Sequence, residues 1–127
     1  MRIIRPLTTL TALVVSTSAL AAPPAGKDVA TTRELVQLCS VSADDPAYAA
    51  AMGFCLGYID AALDYHAALT SGEKFEAIIC PGAGLTRQEV VAVFLDWSSR
   101  NPQQLDTGSP VENLMRAVYE KWPCSGQ

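Results

Sequence analysis

The chain has 127 residues, which is enough for one small domain. Its 13 acidic residues outnumber its 9 basic ones, for a formal net charge of −4. That balance argues against nucleic acid or anionic lipid as a partner, since both attract a basic surface. It suits a basic partner protein or a plainly solvated acidic surface.

The first 21 residues read as an export signal. Arg2 and Arg5 supply a positive start, Leu7 to Leu20 is apolar with Thr and Ser interspersed, and Ala19-Leu20-Ala21 is a small-residue cleavage signal. Cleavage is expected after Ala21. No cysteine follows that could carry a lipid anchor, and the apolar run is short for a membrane span. Loss of Arg2 and Arg5 takes the net charge from −4 to −6. The expected organisation is a signal peptide over 1–21, a flexible arm with Pro23, Pro24 and Gly26 over 22–31, and a helical domain over 32–127. With its leader removed, the chain is expected in the periplasm, free of the membrane.

Helix one is predicted from near Thr32 to Cys39 or Ser40, with Leu35, Val36 and Leu38 on its apolar face. The polar turn VSADD leads into a long helix over Pro46–Thr70. Asp45 is its predicted N-cap and Pro46 its first residue, where no amide bond is lost. Tyr48, Met52, Cys55, Ile59, Leu63 and His66 recur at steps of three and four, as one side of a helix does. Gly53, Gly57 and Ala61 form a second stripe of small residues, predicted to let a neighbouring helix approach. Asp60, Asp64 and His66 interrupt the stretch, so it does not read as a membrane span.

Ser71-Gly72 breaks the helix, and EKFEAIIC reads as an extended return segment. Gly82 and Gly84 resemble part of a phosphate loop, but Arg87 stands where its third glycine belongs, so a turn feeding a helix is the expectation. Helix three opens on a capping box, Thr86 and Glu89, buries Val90, Val93, Phe94 and Trp97, and ends at Asn101-Pro102. Helix four opens on a second box, Ser109 and Glu112, with Pro110 first. It turns Val111, Leu114, Met115, Val118 and Trp122 inward and stops at Pro123. The predicted fold class is therefore all-α: a small four-helix domain.

Cys39, Cys55, Cys80 and Cys124 all follow the leader, and an even count in an exported domain implies two disulfides. If the nine residues Ser71–Ile79 run extended they span up to ~30 Å. They then carry Cys80 back beside Cys39, which favours Cys39–Cys80 with Cys55–Cys124. If the segment stays at the far end of the long helix, Cys39–Cys55 with Cys80–Cys124 follows. Cys55–Cys80 with Cys39–Cys124 also stays open.

No catalytic constellation emerges. His66 is the single histidine, and Cys55 lies eleven residues away on the same helix, about 16 Å along its axis. Asp60 and Asp64, one turn apart, read as a solvated edge. No spacing matches a metal site, so neither a cofactor nor enzyme activity is expected.

Three blocks then line up: FCLGYIDAALD on the long helix, ICPGAGLTRQEVVAVFLDWSSRNPQQL through helix three, and the closing WPC. Together they resemble the Rap/Tai family of immunity proteins associated with type VI secretion, from about Leu35 to Cys124. The matching positions are Cys55, Gly57, Tyr58 and Ile59; Cys80 and Thr86; Asn101 and Pro102; and Trp122, Pro123 and Cys124. Ala61 stands where the family commonly has glycine, and the GAG after Cys80-Pro81 departs from its pattern. The resemblance implies an all-helical periplasmic protein, often a homodimer, that covers the catalytic cleft of a peptidoglycan amidase injected by neighbouring cells. Such an inhibitor needs a rigid body and a projecting loop. The loop chosen on exposure and charge holds Glu73, Lys74, Phe75 and Glu76, although Phe75 also suits a core position. Gln103 to Thr107 is the second choice. The rival reading is a periplasmic stress or chaperone-like binding protein with no dedicated toxin. The order of cysteines and helices is similar to that of small acid-stress chaperones, which lack the G-Y-I and Pro-Cys blocks.

Overall fold

A computed structural model describes residues 29–125. The expected signal peptide and residues 22–28 of the expected arm lie outside them. Four α-helices form among the described residues, and the local chemistry of their first turns explains where three of them start. Helix α1 (Thr32–Cys39) begins on a capping box that the sequence reading missed: Thr31 Oγ1 accepts from the Glu34 amide, and Glu34 Oε2 accepts from the Thr31 amide. Helix α3 (Arg87–Arg100) begins on the predicted box of Thr86 and Glu89. Helix α4 (Pro110–Lys121) begins with Ser109 accepting from the Glu112 amide. The second half of that predicted box does not form. The Glu112 carboxylate instead takes Arg116, one turn along, at 2.6 Å.

Helix α2 (Tyr48–Thr70) starts two residues later than predicted, with Ala47 at its N-cap. Asp45 is occupied in the preceding turn. Its Oδ1 accepts from the Ala47 amide at 2.7 Å and its carbonyl from the Tyr48 amide at 2.9 Å. At the other end the hydroxyls of Thr70 and Ser71 donate to the carbonyls of His66 and Ala68, which a helix end otherwise leaves open.

The four helices close on one core. Leu35, Cys55, Ile59, Phe94, Leu114 and Val118 are fully buried at its centre, and Trp97 closes the α3 side. On the predicted inner faces of α3 and α4, Val90, Phe94, Trp97, Leu114 and Val118 are buried and Val93, Met115 and Trp122 pack half-buried against them; Val111 is exposed, and Asn113 takes a buried place on that side. Tyr48 and His66 are half-buried rather than core residues. The small-residue stripe of α2 is a clearer correction. Gly53, Gly57 and Ala61 are exposed, and a Cβ on either glycine would meet nothing within 4 Å. No helix of the described chain packs there. No helix among the described residues is long and apolar enough to cross a membrane.

The favoured disulfide pairing is overturned. The bonds are Cys39–Cys55, with Cα atoms 5.2 Å apart, and Cys80–Cys124, at 4.8 Å. The segment after α2 does not run extended along the helix. It turns repeatedly over 71–75, and the Ile78 amide reaches Nε2 of His66 on the last turns of α2. Cys80 therefore stays at that end, and the end of α4 comes to it. The expected extended segment reduces to one antiparallel bridge, Ile79 with Pro123. Its hydrogen bonds run from the Cys80 amide to the Trp122 carbonyl (2.9 Å) and from the Cys124 amide to the Ile78 carbonyl (3.1 Å).

The 101–109 connector is equally tied down. It contains a short 3-10 turn, Pro102–Gln104, and buried Leu105. Nδ2 of Asn113, itself 1% exposed, donates to Thr32 Oγ1 and the Gln104 carbonyl at 2.9 Å each, and to the Thr107 carbonyl at 3.4 Å. One side chain thus joins α1, the connector and α4. Asn113→Ala would break all three bonds and leave buried Thr32 without this partner, and is expected to cost about 2–3 kcal/mol. Urea unfolding should show a lower midpoint at unchanged slope; a loss below about 0.5 kcal/mol would contradict the assignment.

Candidate functional site

Most of the groups that suggested chemistry in the sequence are engaged in structure. Asp60 forms an ion pair with Arg87 at 2.9 Å, which joins α2 to the start of α3. Asp64 is exposed on α2. His66 accepts from a backbone amide, and all four cysteines are oxidised. No group of three metal-ligating side chains occurs among the described residues.

The phosphate-loop fragment is closed to an anion. Gly84 takes φ +90°, a conformation that favours glycine, and turns the chain into α3. The amides and hydroxyl there already bind a carboxylate: Glu89 Oε2 accepts from the Thr86 amide at 2.7 Å and from Thr86 Oγ1 at 2.8 Å. That backbone bond, then the hydroxyl bond, holds the Glu89 carboxyl below the usual carboxylate range. Beside it lies a shallow cavity of roughly 210 Å³ between Gly82, Gly84, Leu85 and Trp122. A groove of roughly 500 Å³ lies between α3 and α4. Arg100 and Lys121 face Asp96 and Glu120 there, so it offers no net charge to a ligand. Its carboxylates are also engaged: Trp97 Nε1 donates to Glu120 Oε1 at 2.9 Å, and Arg100 pairs with Asp96 at 3.0 Å.

What the surface does present is apolar and lies where α2 gives way to the loop. Tyr65 is 67% exposed and Phe75 59%, with Leu69 and Ile78 also exposed. Phe75 therefore projects rather than entering the core. Glu73, Lys74 and Glu76 around it are exposed as well. The loop is nonetheless fixed at its far end, because Ile79 is buried and the bridge and the Cys80–Cys124 bond clamp residues 78–80 to 122–124. An exposed aromatic on a tethered loop is a contact that loses little freedom on binding. The second-choice segment, Gln103 to Thr107, is a poorer candidate. Leu105 and the Asn113 bonds hold it to the body, and Arg33 pairs with Asp106 at 2.6 Å, holding that carboxyl below its usual range.

A second exposed apolar surface is the outer side of α2. Phe54 is exposed and stacks on half-buried Tyr58 at a ring separation of 6.3 Å, beside Gly53, Gly57 and Ala61. The helix is apolar around most of its circumference, yet only one side of it reaches the core. A helix of that composition usually has neighbours on more than one side.

Comparison with known proteins adds one match. The model of the family described as Rap1a immunity proteins matches residues 31–124. No curated protein and no solved structure gives a significant match.

Proposed function

The chain belongs to the Rap1a immunity protein family, whose members act against a toxin, and on that premise we propose that it binds and sterically inhibits a peptidoglycan amidase delivered by a type VI secretion system. The single observation that carries this reading is the clamped loop that bears exposed Phe75. Phe75 and the flanking Glu73, Lys74 and Glu76 enter the rim of the amidase cleft, and the bundle behind them blocks access to substrate. The protein contributes no chemistry of its own. It works by filling a groove. Its acidic surface suits a cleft with a basic rim, where complementary charge speeds encounter and fixes orientation. Two disulfides and membership of an immunity family suit export. The leader over 1–21 and the domain over 32–127 complete this proposal for a periplasmic protein.

The same reading includes a homodimer, and the outer side of α2 is the surface that favours it. An antiparallel crossing at Gly57 sets Gly53 of each copy opposite Ala61 of the other, and the open space at both glycines allows the helices to approach. Asp64 lies seven residues beyond Gly57, so the two copies of it would stand about 20 Å apart along the axis. That exceeds the screening length of about 8 Å at physiological salt, so Asp64 adds little repulsion there, and Asp60 nearer the crossing is paired with Arg87.

Two results are expected. The oxidised mature protein should abolish release of peptides from peptidoglycan by its amidase at one-to-one stoichiometry. Phe75→Asp should weaken that inhibition about 100-fold, as for a central aromatic anchor, with no change in the unfolding midpoint. Undiminished inhibition by this variant would remove the loop from the mechanism. In sedimentation equilibrium the protein should have twice the mass of one chain. Gly57→Leu should halve that mass and keep the helical signal, whereas a monomeric parent protein would refute the dimer.

A further inference from the structure

The two disulfides occupy different surroundings. Cys39 and Cys55 are 2% and 0% exposed and lie in the core cluster with Leu35, Ile59 and Phe94. A reductant can reach that bond only after α1 separates from α2. Cys80 is exposed and Cys124 half-buried, and neither belongs to the core cluster. Thiol–disulfide exchange needs a thiolate to reach a sulfur, so access sets which bond opens first.

The consequences of opening differ as well. The Cys80–Cys124 bond joins two chain segments whose other holds are all non-covalent: buried Ile79, half-buried Trp122, the two hydrogen bonds of the bridge and the bond from the Ile78 amide to His66. Those segments lie outside the helices. The contacts of α1, α2, α3 and α4 with one another, the Asn113 network and the Asp60–Arg87 pair do not pass through it.

We propose that Cys80–Cys124 is a reducible clamp, which an external dithiol opens while Cys39–Cys55 and the four-helix body stay intact. A thiolate of the dithiol attacks Sγ of Cys80 and expels the Cys124 thiolate, leaving a mixed disulfide. The second thiol of the reductant then attacks its own sulfur in that bond, closes a cyclic disulfide and releases the Cys80 thiolate. Two electrons pass to the protein, and the two protons given up by the dithiol end on Cys80 and Cys124. The residues 78–80 then lose their covalent hold, and the end of the 71–79 loop rests on Ile79, the bridge and the Ile78–His66 bond alone. The functional meaning rests on the loop reading above: the oxidised protein is armed, and the reduced protein is folded but presents Phe75 on a loosened loop.

The chemical claim is tested on the isolated oxidised protein, so its failure is separable from failure of the immunity reading. The protein is incubated with increasing dithiothreitol, quenched with iodoacetamide and mapped by peptide mass spectrometry. Circular dichroism and amide hydrogen exchange are followed in parallel. Cys80 and Cys124 should be alkylated at least about tenfold faster than Cys39 and Cys55, because only they are accessible. During that first phase the helical signal should hold, and exchange at the Cys80 and Cys124 amides should speed up. Equal labelling of both pairs, or loss of helix with the first pair, would overturn the proposal. So would unchanged protection of those two amides. A Cys80→Ser/Cys124→Ser double variant gives an independent arm: it should stay helical with Cys39–Cys55 intact, and collapse of the bundle would count against the clamp.

Discussion

Each disulfide closes a local corner, and the rest of the architecture follows from that. Cys39–Cys55 holds α1 against the first half of α2 across 16 residues of sequence, and Cys80–Cys124 joins the start of the α3 segment to the end of α4 across 44. By the chain-entropy account, loops of those lengths are worth about 3 and about 4 kcal/mol. Against a total of about 5–15 kcal/mol for a domain, each brace is a sizeable share, yet losing one still leaves the core and the other brace to hold the body. Their positions matter as much as their number. The first is sunk in the core and fixes the body. The second lies at the surface and fixes the end of a loop. A body-spanning pairing would have locked the 71–79 segment along α2 and left nothing to project.

The sequence was most legible where the deciding chemistry is local. Thr86 with Glu89, and Ser109 with Pro110, set the starts of α3 and α4 within a few residues of chain, and both starts are where the sequence places them. Asp45 misled for the same reason. It is a good capping residue, but its side chain closes the turn before the helix and leaves Ala47 at the cap. The disulfide pairing was not legible, because it depends on whether a nine-residue segment runs straight or turns. Contacts distant in sequence decide this: Ile78 with His66, twelve residues apart, and the bridge of Ile79 with Pro123.

Asn113 was missed, although a signal was present. Pro110, Asn113, Leu114, Ala117 and Val118 share one side of α4, and all five are buried. An amide side chain in such a row must find partners, and a search for acceptors would have pointed to the connector. The outer side of α2 was misread in the opposite sense. Small residues at steps of four predict the approach of a neighbouring helix, whereas the four described helices leave that side open. Composition reveals that a helix has two apolar sides; it does not say which molecule covers the second.

The body, the clamp and the exposed loop form one argument, and the way the cysteines pair is its foundation. Trypsin digestion of the oxidised protein without reduction tests it directly. Cleavage after Arg33, Lys74, Arg87 and Lys121 separates the four cysteines into three peptides. Cys39 and Cys55 share one, Cys80 is in the second and Cys124 in the third. The account expects the first peptide free, with an internal disulfide, and the other two joined to each other. All three peptides linked in one cross-connected product would mean that the bonds span the bundle, and the loop would have no clamp.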